Sequence, residues 1–265
     1  MPIVTVNGSR LAYEDSGGRG APVLLLHAFP LRAAMWEHQI SQLGERFRLI
    51  APDLKGFGAS EAPDDPATYS MDGYATDLKA LLDELGIATA AVVGLSMGGY
   101  IAFALLRLHR DSITALVLAD ARAEDDPAEG KERRSSQQSQ IRERGTAELI
   151  DALAGGLLGR TTQEQKPEVV ERVKALMDSP PQGFIGALEA MKNRPDSSGE
   201  LVAIDVPTLI IVGEEDGVTP PEASRKMHEN IGGSRLVVIP EAGHLSNLES
   251  PEAFTSALHD FLTAL

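Results

Sequence analysis

Short apolar runs that end in turn residues recur along the chain and predict eight β-strands. The first two runs, residues 3–6 and 10–14, flank Asn7 and Gly8, a pair typical of a tight hairpin turn. The other six runs cover residues 23–26, 48–51, 90–93, 115–119, 208–212 and 236–239. Continuous apolar runs of this kind are typical of parallel strands that are covered on both faces.

Helical periodicity lies between the apolar runs. The helical patterns cover residues 35–43, 71–85, 98–109, 221–230 and 251–262. Because alternating strands and helices form right-handed crossovers, the sequence predicts an α/β fold. Its centre is expected to be a mostly parallel, doubly wound sheet of about eight strands.

The alternation stops between residues 121 and 199, where no convincing strand occurs. Helical patterns lie there near residues 126–144, 147–158, 167–177 and 181–192, and Pro167 and Pro181 suit first-turn positions. We predict that residues 121–199 form a helical cap inserted over one end of the sheet. Residues 1–120 and 200–265 then form the core domain.

Charge and composition narrow the classes of function. The 265 residues carry a net charge of −15, from 39 acidic and 24 basic residues, which argues against partners such as nucleic acid or an anionic membrane surface. The absence of cysteine excludes disulfides, thiolate metal sites and cysteine nucleophiles. The mixed charges at residues 131–134 are most simply explained as the solvated face of a helix.

Localisation is predicted from the chain start and from one long uncharged stretch. No basic segment followed by an apolar one opens the sequence, so we expect a cytoplasmic protein without a signal peptide. Residues 88–106 are uncharged and long enough for a membrane span, but three glycines and a serine interrupt them. A buried strand followed by a buried helix explains this stretch better than a membrane span does.

Ser96 is the candidate nucleophile. Residues 94–98 fit G-x-S-x-G, a strand-to-helix turn that exposes a serine, and they lie between an apolar run and a helical pattern. Gly94 and Gly98 fit such a turn because neighbouring backbone leaves no room for a Cβ atom. The strand–turn–helix context makes the motif much more specific than the five letters alone.

A serine hydroxyl needs a base to take its proton and an acid to orient that base. His244 is the candidate base, because it follows the last predicted strand in a loop beside a glycine. Asp216 is the candidate acid, because it follows the run 208–212 and Gly217 lets the chain turn behind it. Three other carboxylates stay open as alternatives: Glu214, Glu215 and Asp120.

The remaining site candidates surround the serine. Phe29, in the loop after the run 23–26, and Met97, which follows the serine, are the candidate donors of backbone N–H groups to an oxyanion hole. Candidates for lining the substrate pocket are His27, Trp36 and Leu245, although core packing is the simpler role for Trp36. We predict neither a metal site nor a cofactor site.

Together these motifs resemble the α/β-hydrolase superfamily over nearly the whole chain. The matching landmarks lie at residues 27–30, 53–60, 94–99, 213–216 and 243–244. The nearest likeness is to small bacterial carboxylesterases, in the branch that also holds 3-oxoadipate enol-lactonases and cofactor-free haloperoxidases. The resemblance implies an eight-stranded sheet with a helical cap over the serine and an acyl-enzyme mechanism without metal or cofactor. Two positions depart from the usual pattern: Ala28 replaces a glycine, and Lys55 replaces a common arginine.

The sequence therefore predicts a serine carboxylesterase that hydrolyses short-chain esters through an acyl-enzyme, with a small-molecule ester as its partner. Monomer and dimer both stay open. An alternative is hydrolysis of an enol-lactone or a vinylogous C–C bond by the same residues. Because those substrates carry carboxylates, the pocket should then present a cation, and Arg122, Lys192 and Arg194 are the candidates. A non-catalytic binding protein with this fold is the third hypothesis.

Overall fold

Eight strands form one sheet, as the apolar runs predict. The computed structural model describes residues 1–265. The strands, in chain order, are β1 (Ile3–Val6), β2 (Ser9–Asp15), β3 (Pro22–Leu26), β4 (Arg48–Pro52), β5 (Ala90–Leu95), β6 (Ile113–Ala119), β7 (Thr208–Gly213) and β8 (Arg235–Ile239). Their order in the sheet is β1-β2-β4-β3-β5-β6-β7-β8. The pairs β1–β2 and β2–β4 are antiparallel and the other five pairs are parallel.

Five α-helices lie outside the β6–β7 connection and follow the predicted patterns, with one short addition. They are α1 (Glu37–Leu43), α2 (Met71–Glu84), α3 (Met97–His109), α9 (Pro221–Asn230) and α11 (Pro251–Thr263), and the addition is α10 (Ser246–Glu249). Residues 88–106 contain β5 and most of α3, as expected. No helix in the structure has both the length and the apolar character needed to cross a membrane.

The core is deepest along the middle of the sheet. All six residues of β5 and all six of β7 are buried, which explains why both sequences are continuous apolar runs. The edge strands β1 and β8 each keep exposed positions. Ser96, Asp120 and the Asp216 turn follow the C-terminal ends of β5, β6 and β7. In a parallel sheet those ends share one edge, where ligands commonly bind.

Five further helices lie between β6 and β7: α4 (Ala128–Arg144), α5 (Ala147–Leu157), α6 (Arg160–Gln165), α7 (Pro167–Leu176) and α8 (Pro181–Lys192). Pro167 and Pro181 stand in the first turns of their helices, as predicted. Helix α6 was not predicted, because its six polar residues are too few to show a hydrophobic period. The bounds 121–199 of a separate cap domain stay a prediction.

Candidate active site

Ser96 stands on a tight turn between β5 and α3. Its backbone has φ 55° and ψ −112°, a strained combination for a residue with a side chain, and its N–H donates to the Ala119 carbonyl at 2.9 Å. A Cβ atom on Gly94 would overlap the Gly98 carbonyl, and one on Gly98 would overlap the Leu26 carbonyl. The turn therefore requires glycine at both positions, which is the physical content of the G-x-S-x-G pattern.

Ser96, His244 and Asp216 form a continuous chain of contacts. The Ser96 Oγ lies 2.8 Å from His244 Nε2, and His244 Nδ1 lies 2.9 Å from Asp216 Oδ2. Ser96, His244 and Asp216 are only 8%, 1% and 3% exposed, respectively. Nδ1–H can donate to the carboxylate while Nε2 accepts the serine proton. The arrangement can thus generate a serine alkoxide and stabilise the resulting imidazolium.

Asp216 is held by donors that the sequence patterns did not single out. The N–H groups of Val218 and Thr219 donate to Oδ1 at 2.8 and 2.9 Å, and the Thr219 hydroxyl donates to Oδ2 at 2.7 Å. Burial works to raise the pKa of Asp216, but His244 and the Thr219 donors outweigh it, so that pKa is lowered. The Asp-x-x-Thr spacing of a side-chain-capped turn was an available signal for Thr219.

The alternative carboxylates are engaged elsewhere or exposed. Glu215 accepts from the backbone N–H and the hydroxyl of Thr161 at 2.8 and 2.6 Å, and Glu214 is exposed. Asp120 accepts from the Gly213 N–H at 2.8 Å and from Ser246. Only Asp216 among the four contacts the His244 imidazole.

Asp120 is nevertheless close enough to Asp216 to be influenced by its charge. Its side chain is fully enclosed, and burial first, then the charge of Asp216, raises its pKa well above the ordinary aspartate value. Two carboxylates in one buried region cannot both ionise at low cost. The contacts from His244 and Thr219 therefore favour the negative charge on Asp216 over a charge on Asp120.

The two candidate oxyanion donors have free N–H groups. Neither the Phe29 N–H nor the Met97 N–H takes part in a turn, loop or helix-cap hydrogen bond. The Phe29 ring packs edge-on against the rings of Phe57 and Phe184, with centroids 6.2 and 5.8 Å apart. The φ angle of Ala28 is not positive, so alanine fits at this position without backbone strain.

A cavity of about 650 Å³ opens in front of Ser96 and His244. Most of its wall comes from the loop before α4, from α4 itself and from α5. The lining residues are Phe29, Ser96, Tyr100, Arg122, Pro127, Glu129, Gly130, Arg133, Arg134, Gln137, Leu149, Ala152, Leu153, Gly156, Leu157, Met191, Gly217, Val218, Thr219, Pro220 and His244. No three His, Cys, Asp or Glu side chains in the structure are grouped to hold a metal ion.

The three residues predicted to line the pocket do not reach this cavity. His27, Trp36 and Leu245 are each 0% exposed and are enclosed by the core. His27 Nδ1–H donates to the Ala28 carbonyl, and Nε2 accepts the Leu54 N–H, both at 3.0 Å. Burial lowers the pKa of His27 to about 4. Trp36 has the core-packing role that the sequence favoured. We correct the assignment of His27 and Leu245 to packing, since proximity in sequence to the site loops does not fix which side of a loop faces the cavity.

The cations in the cavity differ from those expected. Arg122 lines it, but Arg194 and Lys192 do not: Lys192 pairs with Glu189 at 2.6 Å, and Arg194 lies over the Tyr100 ring. The solvated-face interpretation of residues 131–134 holds only in part: Arg133 is exposed but also lines the cavity, and Arg134 lines the cavity and pairs with Asp126. With Gly130 and Gln137 they occupy positions i, i+3, i+4 and i+7 of α4, so one polar face of this helix forms a cavity wall.

The loop that carries His244 is hydrogen-bonded to the C-terminal end of α5. The His244 N–H donates to the Leu157 carbonyl at 3.0 Å. Glu249, 1% exposed, accepts the Leu245 N–H at 3.0 Å with Oε1 and the Gly159 N–H at 2.8 Å with Oε2. Sequence reasoning missed Glu249, because its partners stand up to 90 positions away along the chain.

Known proteins share both the fold and the extent of this chain. Residues 21–251 match the family model described as alpha/beta hydrolase fold. A thermophilic esterase from Thermogutta terrifontis, solved with malate bound, has 39% identity and a TM-score of 0.93, covering 99% of this chain and 96% of its own. The enol-lactonase of Burkholderia xenovorans LB400 has 32% identity and a TM-score of 0.91, covering 99% of this chain and all of its own.

A sequence relative supports the haloperoxidase side of the same branch. The putative non-heme bromoperoxidase BpoC of Mycobacterium tuberculosis is 30% identical over 274 residues, which cover 96% of this chain and 98% of the relative. Esterases, enol-lactonases and bromoperoxidases therefore all occur among its relatives, which confirms the branch that the motifs indicate. The chain belongs to the alpha/beta hydrolase family.

Proposed function

We propose that this hydrolase is a serine carboxylesterase that cleaves short-chain carboxylic esters through an acyl-enzyme. The observation that carries the proposal is the contact chain from Ser96 Oγ through His244 to Asp216, with distances of 2.8 and 2.9 Å, whose first two members line a cavity. Serine in this turn favours acyl transfer to water.

In the acylation half, Ser96 Oγ bonds to the ester carbonyl carbon and its proton passes to His244 Nε2. The carbonyl electron pair moves onto oxygen, and the N–H groups of Phe29 and Met97 stabilise that negative charge. Asp216 stabilises the imidazolium. The C–O bond to the alcohol then breaks, the carbonyl reforms, and the leaving oxygen takes the proton from His244.

In the deacylation half, water replaces the alcohol. His244 Nε2 takes a proton from the water as its oxygen bonds to the acyl carbon. When the bond to Ser96 Oγ breaks, that proton returns to the serine, so the net reaction is ester plus water to acid plus alcohol. A preference for short acyl chains is supported by Phe29, whose ring is fixed between Phe57 and Phe184 at the cavity wall.

The test is Ser96→Ala assayed on p-nitrophenyl acetate and butyrate, together with labelling by a fluorophosphonate. We expect the wild type to turn over both esters and to gain one phosphonate adduct. Ser96→Ala should lose at least about 1,000-fold in kcat and take up no label. The control is Ser41→Ala, an exposed serine on α1, which should behave as wild type.

Two results would overturn the proposal. Turnover by Ser96→Ala at the wild-type rate would remove the serine mechanism. A wild-type protein that neither hydrolyses these esters nor takes the label would favour the third hypothesis, a binding protein with this fold. Intact folding, checked by circular dichroism, is required before either result is interpreted.

Hydrolysis of an enol-lactone is the second candidate, because a lactone is a cyclic ester and the same steps open it. Arginines at the cavity wall and the likeness to the Burkholderia enol-lactonase favour it specifically. The comparison is kcat/KM for an unsaturated lactone bearing a carboxylate against kcat/KM for p-nitrophenyl butyrate. A higher value for the lactone would make lactonase the better description of the activity.

A further inference from the structure

We propose that Arg122 and Arg133 form a carboxylate-binding subsite in the cavity before Ser96, which selects esters and lactones that carry a free carboxylate. The proposal rests on hydrolysis at Ser96 and names the substrate class of that same site. It goes beyond the proposed esterase activity, which does not require a charged substrate, by assigning carboxylate binding to two named residues.

The charge of the cavity wall is opposite to that of the whole protein. Three arginines and one glutamate, Arg122, Arg133, Arg134 and Glu129, are its charged lining residues. The wall therefore carries a formal charge of +2 in a chain whose net charge is −15. A cation excess in this one place would draw anions toward Ser96 and away from the acidic outer surface.

Behind the wall, one buried carboxylate organises three guanidinium groups. Asp126 has a fully enclosed side chain, and its Oδ1 accepts from Arg122 at 2.5 Å and from Arg194 at 3.0 Å. Its Oδ2 accepts from Arg134. Burial works to raise the pKa of Asp126, but the Arg134 and Arg194 contacts outweigh it, so the carboxyl stays ionised well below the usual aspartate range.

This cluster is under-neutralised. One carboxylate balances one of the three guanidiniums, which leaves two positive charges beside the cavity. Arg194 is buried against the Tyr100 ring, and the Nε–H of Arg134 donates to Asp126. The Arg122 side chain is 24% exposed and lines the cavity. Arg122 is thus held in place by Asp126 while part of its side chain stays open to a ligand.

Arg133 provides the second cation and is not neutralised by its neighbours. It is exposed on the cavity face of α4 and makes no ion pair within 4.0 Å. The nearby acids outside the cavity already have partners: Asp125 pairs with Lys131 at 2.7 Å, and Glu124 with Lys226 at 2.5 Å. Glu129 is the one opposing charge in the cavity, and it reduces the positive excess without cancelling it.

Arginine suits carboxylate recognition because its planar fork donates two parallel N–H bonds to the two oxygens. A neutral ester would leave those donors to water, whereas a substrate carboxylate would satisfy them. The structure thus supplies an orienting contact for the far end of a substrate whose ester carbonyl lies at Ser96. Such a contact should appear mainly in KM, because it is present in both the ground and the transition state.

The experiment uses two esters of equal chain length, p-nitrophenyl hydrogen glutarate and p-nitrophenyl valerate. They differ by a terminal carboxylate against a terminal methyl group. For the wild type at neutral pH and low salt, we expect kcat/KM to favour the glutarate ester by about tenfold or more, the ratio that one good charged contact provides. Free glutarate should inhibit valerate hydrolysis competitively.

Charge-neutralising variants locate the subsite. Arg133→Gln and Arg122→Gln should each lower the glutarate-to-valerate ratio by roughly fivefold to twentyfold, chiefly through KM, and should weaken inhibition by glutarate. Glu129→Gln should raise the ratio. Arg142→Gln is the matched control, because it removes the same charge from an exposed position of α4 outside the cavity, and its ratio should equal that of the wild type.

The results that would overturn the carboxylate subsite differ from those that would overturn the esterase activity. If valerate is hydrolysed but glutarate is not preferred, or if Arg133→Gln, Arg122→Gln and Arg142→Gln behave alike, the subsite is overturned and the esterase stands. If neither ester is hydrolysed and Ser96 takes no fluorophosphonate, the proposed function falls and the subsite with it.

Discussion

The His244 backbone N–H donates to the carbonyl of Leu157, so the imidazole loop is bonded directly to the last residue of α5. Glu249 strengthens the same connection, because its two carboxylate oxygens accept the N–H groups of Leu245 and Gly159. The position of the candidate base therefore depends on helices that follow β6, and not on the sheet alone.

Glu249→Gln should weaken this connection. The amide retains one acceptor oxygen and points its NH₂ group at a buried N–H, so one backbone donor loses its partner. We expect a loss of about 1–3 kcal/mol in the free energy of unfolding, measured by urea denaturation, and a lower kcat on p-nitrophenyl butyrate. Glu229→Gln, on an exposed face of α9, is the control. Equal stability of the two variants would contradict the prediction.

The roles of the two buried carboxylates, Asp216 and Asp120, should be distinguishable by the kcat of their asparagine variants. Asp216→Asn removes the negative charge that orients His244 and should lower kcat by about 10⁴-fold, as loss of a triad acid does. Asp120→Asn changes a side chain that does not contact His244, and roughly a tenfold decrease at most is expected. Both are measured with p-nitrophenyl butyrate at neutral pH. The reverse order would make Asp120 the acid.

Thr219→Val should slow catalysis without disturbing the fold. The variant keeps the shape of the side chain but removes the hydroxyl that donates to Asp216 Oδ2 at 2.7 Å. A charged hydrogen bond of this kind contributes about 1.5–3 kcal/mol, so we expect kcat to fall roughly tenfold or more. Thr219→Ser restores the donor and should recover most of the rate. A Val variant as active as the Ser variant would refute the role.

His27 should make the protein less stable in acid. Its pKa falls from an ordinary 6.5 to about 4 because burial disfavours the imidazolium. The unfolded chain thus binds an additional proton between these values, and stability that is complete above pH 6.5 is lost as the pH falls toward 4. The expected loss is about 3 kcal/mol. His27→Gln supplies a donor and an acceptor without titrating, so its unfolding free energy should vary less over this range. An unchanged slope would disprove the assignment.

The sequence predicted what is encoded within short segments. The eight strands are local apolar runs, and the Ser96 turn is specified by its own glycines and by the adjacent strand and helix. Asp216 and His244 were found because each follows a strand whose end lies at the same edge of the sheet. Each of these inferences uses residues that are close in sequence.

Contacts between distant segments left no such signal. Asp126 joins Arg122, Arg134 and Arg194, and nothing in the local pattern distinguishes that aspartate from its neighbour Asp125. The polar face of α4 looked solvated because polarity alone does not distinguish open solvent from a cavity. His27 lies in a site loop and Trp36 lies close to it in sequence, yet both side chains enter the core.

The hydrogen bond between the Leu157 carbonyl and the His244 N–H also limits which segments can be exchanged in redesigned variants. Leu157 and Gly159 lie between β6 and β7 in the chain, yet they pack against the His244 loop, and a Cβ on Gly243 would overlap Gly159. Chimeras that exchange the helices after β6 to obtain new substrate ranges should therefore join before residue 157 and keep residues 157–161 of the host. A graft that crosses this border would bring its own backbone to the base and would change turnover together with selectivity.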